Sequence, residues 1–486
     1  MKRRLFLCCI SVAASSLSPQ GGSAAESLDV PVAPGAFHCS PEQQAFLDRL
    51  QHDTFQFFWE SSRSDNGLTP DRAPGAEVSS VAAVGFALTS YLVGVEKGYV
   101  SREAAAQRTL STLRTLWSAP QGPMASGVAG YNGLFYHFLD EHDGLRTNQS
   151  ELSTVDTALL MAGVLAAQTF FDEENDTERS IRSLSDRLYR RVDWSWAYST
   201  RNRPLLSMGW SPEHGFLEAD WRGYNEGMIL YLLALGSPTH AIDPQAWEQW
   251  TRSYRVEGAE KGVAHVGFGP LFGHQYSHIW IDFRGIQDNY MRSKGTDYFV
   301  NSTRATYANR AYCIANPGRW KGYGESVWGL TASDGPVNDG RADPATPFHA
   351  YWARGPTPDG AEDDGTIAPT AVGGSVPFAP EVTIPTLLRM REQFGDHLYG
   401  QYGFKDAFNL SYPANSGEGW FDDQYLAIDQ GPILLMIENY RTGFVWDLLK
   451  RNAYVTAGLK KAGFTGGWLA SSDRPTNNGP RVPSVP

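Results

Sequence analysis

The chain has 486 residues, with 41 Lys+Arg against 53 Asp+Glu and a formal net charge of −12. At 42% hydrophobic it is too apolar for a disordered chain, and its acidity leaves no basic stripe for general nucleic-acid binding. Charged residues make up 19% and aromatics 13%; an ordinary soluble domain is about 25% charged, so this surface is rich in neutral polar and aromatic groups.

Lys2, Arg3 and Arg4 precede an apolar stretch, Leu5 to Ala14, that is too short to span a membrane. Ser23-Ala24-Ala25 supplies the small residues of a cleavage site near Ala25. Residues 1–25 therefore read as a secretory signal, which places the mature protein in the periplasm or outside the cell, free of the membrane. Cys8 and Cys9 leave with the signal. Cys39 and Cys313 remain, and an oxidising compartment permits either a bridge or two separate thiols. Residues 26–44 read as a lead-in, 45–470 as one domain, and 471–486 as a loose tail rich in Pro and Asn.

Apolar spacing predicts helices over 41–60, 78–97, 101–117, 153–171, 177–192, 225–235, 288–315, 380–394, 430–440 and 445–462. Short strand-like pieces fall at 134–139 and 278–283. Ser101 is a candidate N-cap with Glu103 just inside, and Gly98 sits where a helix should stop. Several helices are apolar all round, so they belong inside. No βαβ alternation and no G-x-G-x-x-G after a strand appears. Sequential antiparallel helices of this kind close into an all-α toroid, with buried inner helices, an outer ring, and long loops lining a central cleft.

Four loops that precede apolar helices bring carboxylates and aromatics together. In Glu151 to Ala158, Glu151 precedes the helix and Asp156 lies in its first turn, where it serves either the helix dipole or a site. In Glu218 to Gly227, Glu226 opens the very apolar stretch Met228 to Leu235. Desolvation there raises a carboxyl pKa, which suits a general acid for a leaving-group oxygen. The segment His274 to Arg284 carries a His pair at i, i+4 but lacks the adjacent Glu of the zinc hydrolase motif. Gln275, Tyr276, His278, Trp280, Asp282 and Arg284 read instead as a polar–aromatic wall for sugar, with core packing of Trp280 as the alternative. In Trp420 to Pro432, Asp429 is either the cap of a helix with Pro432 in its first turn or an ionised base. Two carboxylates flanking a scissile bond are the minimal apparatus of glycoside hydrolysis. No G-x-S-x-G elbow and no P-loop is present, and no metal or other cofactor is expected.

Tyr323-Gly324-Glu325-Ser326-Val327-Trp328-Gly329-Leu330-Thr331-Ala332-Ser333-Asp334-Gly335-Pro336 resembles the glucoamylase-like domain of bacterial β-1,2-glucan-active proteins. Asp364 to Ala371, Gly373 to Glu381, Asp429 to Pro432 with Ile437 to Arg441, and Glu151 to Ala158 resemble the same pattern, so the likeness runs over roughly residues 45 to 470. It is nearest to the secreted endo-β-1,2-glucanases and extends to the hydrolase-like domain of cyclic β-1,2-glucan synthases. The resemblance implies an (α/α)6 toroid and anomer-inverting hydrolysis of β-1,2-glucan to short sophoro-oligosaccharides. It carries the acid over to Glu226. The base falls first on Asp429, with Glu151 and Asp156 as supporting carboxylates. Gln275, Tyr276, His278, Trp280, Asp282, Arg284, Glu325, Trp328 and Trp420 would shape the subsites. A monomer acting on a glucan or sophoro-oligosaccharide is the expectation. A polysaccharide lyase on the same fold, an exo-acting or transglycosylating enzyme, and a non-catalytic glucan-binding protein are the alternatives.

Overall fold

The computed structural model describes residues 37–75, 77–258, 264–337, 346–357, 360–414 and 417–471. The expected signal, most of the lead-in and the tail from Ser472 lie outside the described residues. Sixteen helices are found among those described: α1 Pro41–Ser61, α2 Val81–Glu96, α3 Arg102–Ser118, α4 Thr154–Phe170, α5 Asp176–Arg191, α6 Gly227–Gly236, α7 Gln245–Thr251 and α8 Tyr276–Trp280, then α9 Asn289–Lys294, α10 Tyr298–Ala315, α11 Pro369–Gly373, α12 Pro380–Phe394, α13 Ala427–Arg441, α14 Phe444–Lys450, α15 Ala453–Lys461 and α16 Gly467–Ser471.

Six of these, α2, α4, α6, α8, α11 and α13, form an inner ring, and the rest wrap them, giving the (α/α)6 toroid. Sequence chemistry sorts the two layers. Every residue of α6, α8 and α11 is buried, as suits helices apolar all round. By contrast α5 buries Ile181, Ser185, Leu188 and Tyr189, one stripe at helical spacing, together with Glu178, which is paired with Arg102 at 2.8 Å, and none of its other charges is buried. The ring is drawn tight where α2 meets α4. A Cβ on Gly163 would sit 2.2 Å from the Gly85 carbonyl oxygen, and one on Gly85 2.3 Å from that of Leu159, so only glycine fits the pair.

The inner helices all start at one end of the molecule. Ile229 N–H donates to Ser277 Oγ at 3.0 Å, tying α6 to α8. Gln275 Nε2 donates to Ala371 O at 2.8 Å, tying α8 to α11. Thr370 Oγ1 donates to Asp429 O at 3.1 Å, tying α11 to α13. The positive ends of the helix dipoles therefore converge on that end. Short antiparallel strands decorate it. One five-stranded sheet runs Gly130–Tyr131, Leu134–Tyr136, Leu152–Ser153, Gly209–Ser211, Gly215–Phe216, with Phe135 opposite Ser153 and Leu152 opposite Trp210. Arg72–Ala73 pairs with Tyr425–Leu426, and Phe408–Asn409 with Trp420–Phe421.

The expected helices are found with local breaks. Residues 78–80 pair as a strand with Phe138–Asp140, so α2 starts only at Val81. The single helix expected over 288–315 is two, because Gly295 turns left-handed at φ 64° and Asp297 caps α10 by accepting from Val300 N–H. The one expected over 445–462 is also two, restarted by the Asn452 cap. Of the strand-like piece expected at 278–283, residues 278–280 end α8 and residues 281–283 form no strand. Cys39 and Cys313 are both free thiols.

Candidate active site

Glu226 is the N-cap residue of α6, but its side chain makes no capping bond. It is buried, and its Oε2 has no partner among the described residues. Burial pushes this carboxyl up to about 8, a backbone hydrogen bond opposes, and the Asp156 carboxylate adds to the rise. Asp156 lies in the first turn of α4, where Ser153 Oγ accepts its backbone N–H at 3.2 Å and donates to its Oδ2. His137 Nε2 stands 3.8 Å from that same oxygen, and His137 Nδ1 is 2.9 Å from Glu151 Oε1. Burial alone would lower the imidazole pKa; Asp156 and Glu151 overcome it and raise His137 to about 10. The ring is therefore an imidazolium at neutral pH, and its charge holds Glu151 below the usual range against the pull of burial. Solvent reaches this side, since the His137, Glu151 and Asp156 side chains keep 27%, 18% and 13% exposure.

Tyr276, the first residue of α8, feels carboxylates of this group and of a second one. Its hydroxyl donates to Ile428 O at 2.9 Å. Burial holds its pKa well above the ordinary value, reinforced by Asp429, Glu226, Asp156 and Asp406. The second group is Asp334, Asp406 and Asp422, which offer carboxylate oxygens within 4.8 Å of one another, together with Asp429. Arg72 Nη1 donates to Asp334 Oδ2 at 2.6 Å and to Gln424 Oε1 at 2.9 Å. Asp334 N–H donates to Asp406 Oδ2 at 2.7 Å. Burial pushes Asp429 up to about 7, a hydrogen bond with Asp406 opposes, and Asp334 adds to the rise. Burial followed by the Asp406 charge pushes Asp422 up to about 8, and Asp406 is raised as well. One oxygen each of Asp406, Asp422 and Asp429 has no protein partner. Like charges so close share protons rather than all ionise.

Glu151, Asp156, Glu226, Tyr276 and Asp429 are thus brought to one end of the toroid. Trp420 stands half-buried on the strand that leads to Asp422. Asp429 lies inside the first turn of α13, which begins at Ala427, so it is not the residue before a Pro432 first turn. The other expected sugar contacts are placed elsewhere. His278 is fully buried beside Phe283 and Phe378, its Nε2 is 3.1 Å from Ser302 Oγ, and desolvation lowers it to about 3. Trp280 is buried on Phe86 and donates to Thr89 Oγ1 at 3.0 Å, which is the core packing left open by the sequence. Trp328 is buried and donates to Thr386 Oγ1 at 2.9 Å. These rings present no face to a sugar. Gln275 is a buried clamp between α8 and α11. Asp282 binds Arg284 at 2.7 Å and Lys450 of α14 at 2.8 Å, at the end of α8 away from Tyr276. Glu325 is exposed, and only its carbonyl is engaged, by Arg310. Sequence reasoning missed Arg72, His137 and Asp406, and gave Asp334 and Asp422 no role although both stood within quoted motifs.

The family model described as "Putative glucoamylase" matches residues 218–453, a span that holds both Glu226 and Asp429. A crystal structure described as a putative glucoamylase from Bacteroides uniformis superposes with a TM-score of 0.77 at 35% identity, covering 89% of this chain and 100% of that one. An endo-β-1,2-glucanase from Chitinophaga pinensis, solved with sophorotriose and glucose, gives 0.76 at 30% identity, covering 88% and 100%. The chain belongs to the glucoamylase-like family that includes the β-1,2-glucanases. Within it, an exo β-1,2-glucooligosaccharide sophorohydrolase (non-reducing end) of Parabacteroides distasonis is 31% identical over 451 residues. That match takes in 86% of this chain, which spans 58% of the length of the relative.

Proposed function

We propose that this member of the family is a glycoside hydrolase that cleaves β-1,2-glucan with inversion, releasing short sophoro-oligosaccharides. Glu226 is the general acid and gives its proton to the glycosidic oxygen. A member of the aspartate group, Asp429 first, takes the proton of the attacking water, directly or through a substrate hydroxyl. The observation that carries this reading is the Glu226 carboxyl: buried, free at Oε2 among the described residues, held protonated at neutral pH by burial, and near the same Tyr276 as a group of aspartates with unused oxygens. Tyr276 feels both Glu226 and Asp429, so both carboxyls belong to the surroundings of one tyrosine. An inverting pair needs room for a water between acid and base. Half-buried Trp420 offers a stacking face for a sugar ring.

Endo action is the leading reading, in line with the Chitinophaga protein; exo release of sophorose is the second, favoured by the Parabacteroides relative. Residues 1–25 are proposed to export the protein to the periplasm or beyond, and it is proposed to act as a monomer. The test is product analysis on linear β-1,2-glucan with wild type and Glu226→Gln. An early spread of oligosaccharide lengths identifies endo action, and disaccharide alone from the first time point identifies exo action. An active Glu226→Gln variant overturns the acid, and no products from wild type overturns the substrate.

A further inference from the structure

Resting on the reading of Glu226 as the acid, we propose that Asp156 is a positioning residue for it: an ionised carboxylate in the first turn of α4 that adds to burial in keeping the proton on the acid until the glycosidic oxygen takes it. Asp156 is itself held from three sides. Ser153 engages both its backbone N–H and its Oδ2. The first turn of α4 presents the positive end of the helix dipole to it. His137 supplies a full positive charge 3.8 Å away. His137 cannot swing off, because Glu151 holds Nδ1 and the ring stacks on Phe138 with centroids 4.0 Å apart at 13°. All three favour the charged form of Asp156, although burial outweighs them and leaves its carboxyl above the usual range.

A separate strut joins the start of α4 to the loop that carries Glu226. Trp221, five residues before Glu226, donates its indole N–H to Thr154 Oγ1 at 2.8 Å, at the start of α4. Thr154 Oγ1 in turn donates to the carbonyls of Ser207 and Met208. Gly227 lies flat against the same indole, where a Cβ would stand 3.0 Å from Trp221 Cε3. These contacts tie the first residue of α4 to the loop that carries Glu226.

The charged and titratable groups around Glu226 divide by element. Asp156 faces it from α4, with His137 and Glu151 behind Asp156 and Asp71 beyond them. Tyr276 faces it from α8, and the aspartates of α13 and its neighbouring loops stand behind Tyr276. His137, Glu151 and Asp156 have metal-ligand spacing, but both ring nitrogens of His137 already face carboxylates, so the imidazolium fills the place of a cation.

The experiment is the pH profile of kcat/KM on linear β-1,2-glucan for wild type, Asp156→Asn and Asp156→Glu. Removing the charge makes ionisation of Glu226 easier, so the alkaline limb of Asp156→Asn moves to lower pH by on the order of one unit. Its activity then falls roughly tenfold more than wild type between neutral and mildly alkaline pH. Asp156→Glu keeps the charge and returns the limb toward wild type. A limb that does not move in Asp156→Asn overturns the proposal, whatever happens to kcat or melting temperature, because a merely structural role lowers those without shifting the limb. A second measurement needs no turnover. With carboxyl-13C glutamate in the full chain, the resonance lost in Glu226→Gln is titrated in wild type and in Asp156→Asn. A downward shift supports the proposal and coincident curves overturn it. If wild type cleaves no β-1,2-glucan, this titration still decides the role of Asp156, so the two readings fail separately.

Discussion

Replacing Glu226 by Gln should abolish hydrolysis and at the same time make the protein more stable at neutral pH. Gln keeps the shape and hydrogen-bonding capacity of the protonated acid but never ionises. In the folded protein the Glu226 carboxyl keeps its proton up to about 8, against 4.5 for the ordinary group. Its folded pKa is raised, so between those values the folded state binds more protons than the unfolded one. Stability therefore falls as pH rises through that window. At 1.36 kcal/mol per unit, wild type carries a penalty of about 3 kcal/mol at pH 7 that the Gln variant lacks. The assay is matched urea denaturation of the two proteins from mildly acidic to mildly alkaline pH. The curves should nearly coincide at the acidic end, and the gap should widen in favour of Glu226→Gln as pH rises. A gap that does not change with pH, or a variant less stable at pH 7, would refute the buried neutral acid.

Two further substitutions test what holds the site end together. Gly163→Ala drives a Cβ into the Gly85 carbonyl, 2.2 Å away; as backbone faces backbone, the loss should reach or pass the upper end of the ~1–3 kcal/mol typical of overpacking, read as a lower melting temperature. Arg354 and Asp364 form a fully buried bidentate pair at 2.7 and 2.9 Å, and Arg354 also holds Ser333 O, next to Asp334. Asp364→Asn leaves the guanidinium buried without its countercharge and should cost about 3–5 kcal/mol in chemical denaturation. Burial would raise the Asp364 carboxyl, but His349 and Arg354 hold it far below the usual range. Its stabilisation is thus complete above the ordinary carboxylate pKa and fades as pH falls through the acid range, a dependence that Asp364→Asn should lack.

The architecture was legible because it is written in local patterns. Residues 225–235 and 153–171 are apolar on every side, and a helix of that kind has nowhere to go but an inner layer. Glu226 stood out for the same reason: a carboxylate opening the stretch Met228 to Leu235 has to be desolvated, and the folded chain leaves it buried with Oε2 free. The helix breaks at Gly295 and Asn452 were missed, although each carries a usual terminating or capping residue, because apolar spacing continued across them.

What the tertiary structure alone decided is which side chains share a space. The loop clusters of Trp, His and acids look alike in sequence, yet Trp280, Trp328 and His278 pack in the interior while Trp420 remains half-exposed. Periodicity tells that a face is buried, not what it is buried against. Asp334, Asp406, Asp422 and Arg72 come from separate loops, and only strand pairing puts them together: Arg72–Ala73 against Tyr425–Leu426, and Phe408–Asn409 against Trp420–Phe421. His137 likewise reaches Glu151 through the register of the five-stranded sheet, where Tyr136 lies opposite Leu152. The sequence by itself determined the buried inner helices, the family and the desolvated acid, since each follows from residues adjacent along the chain. The charge environment of that acid depended on closure of the ring, because electrostatic interaction follows distance in space, and contacts between distant loops leave no local pattern.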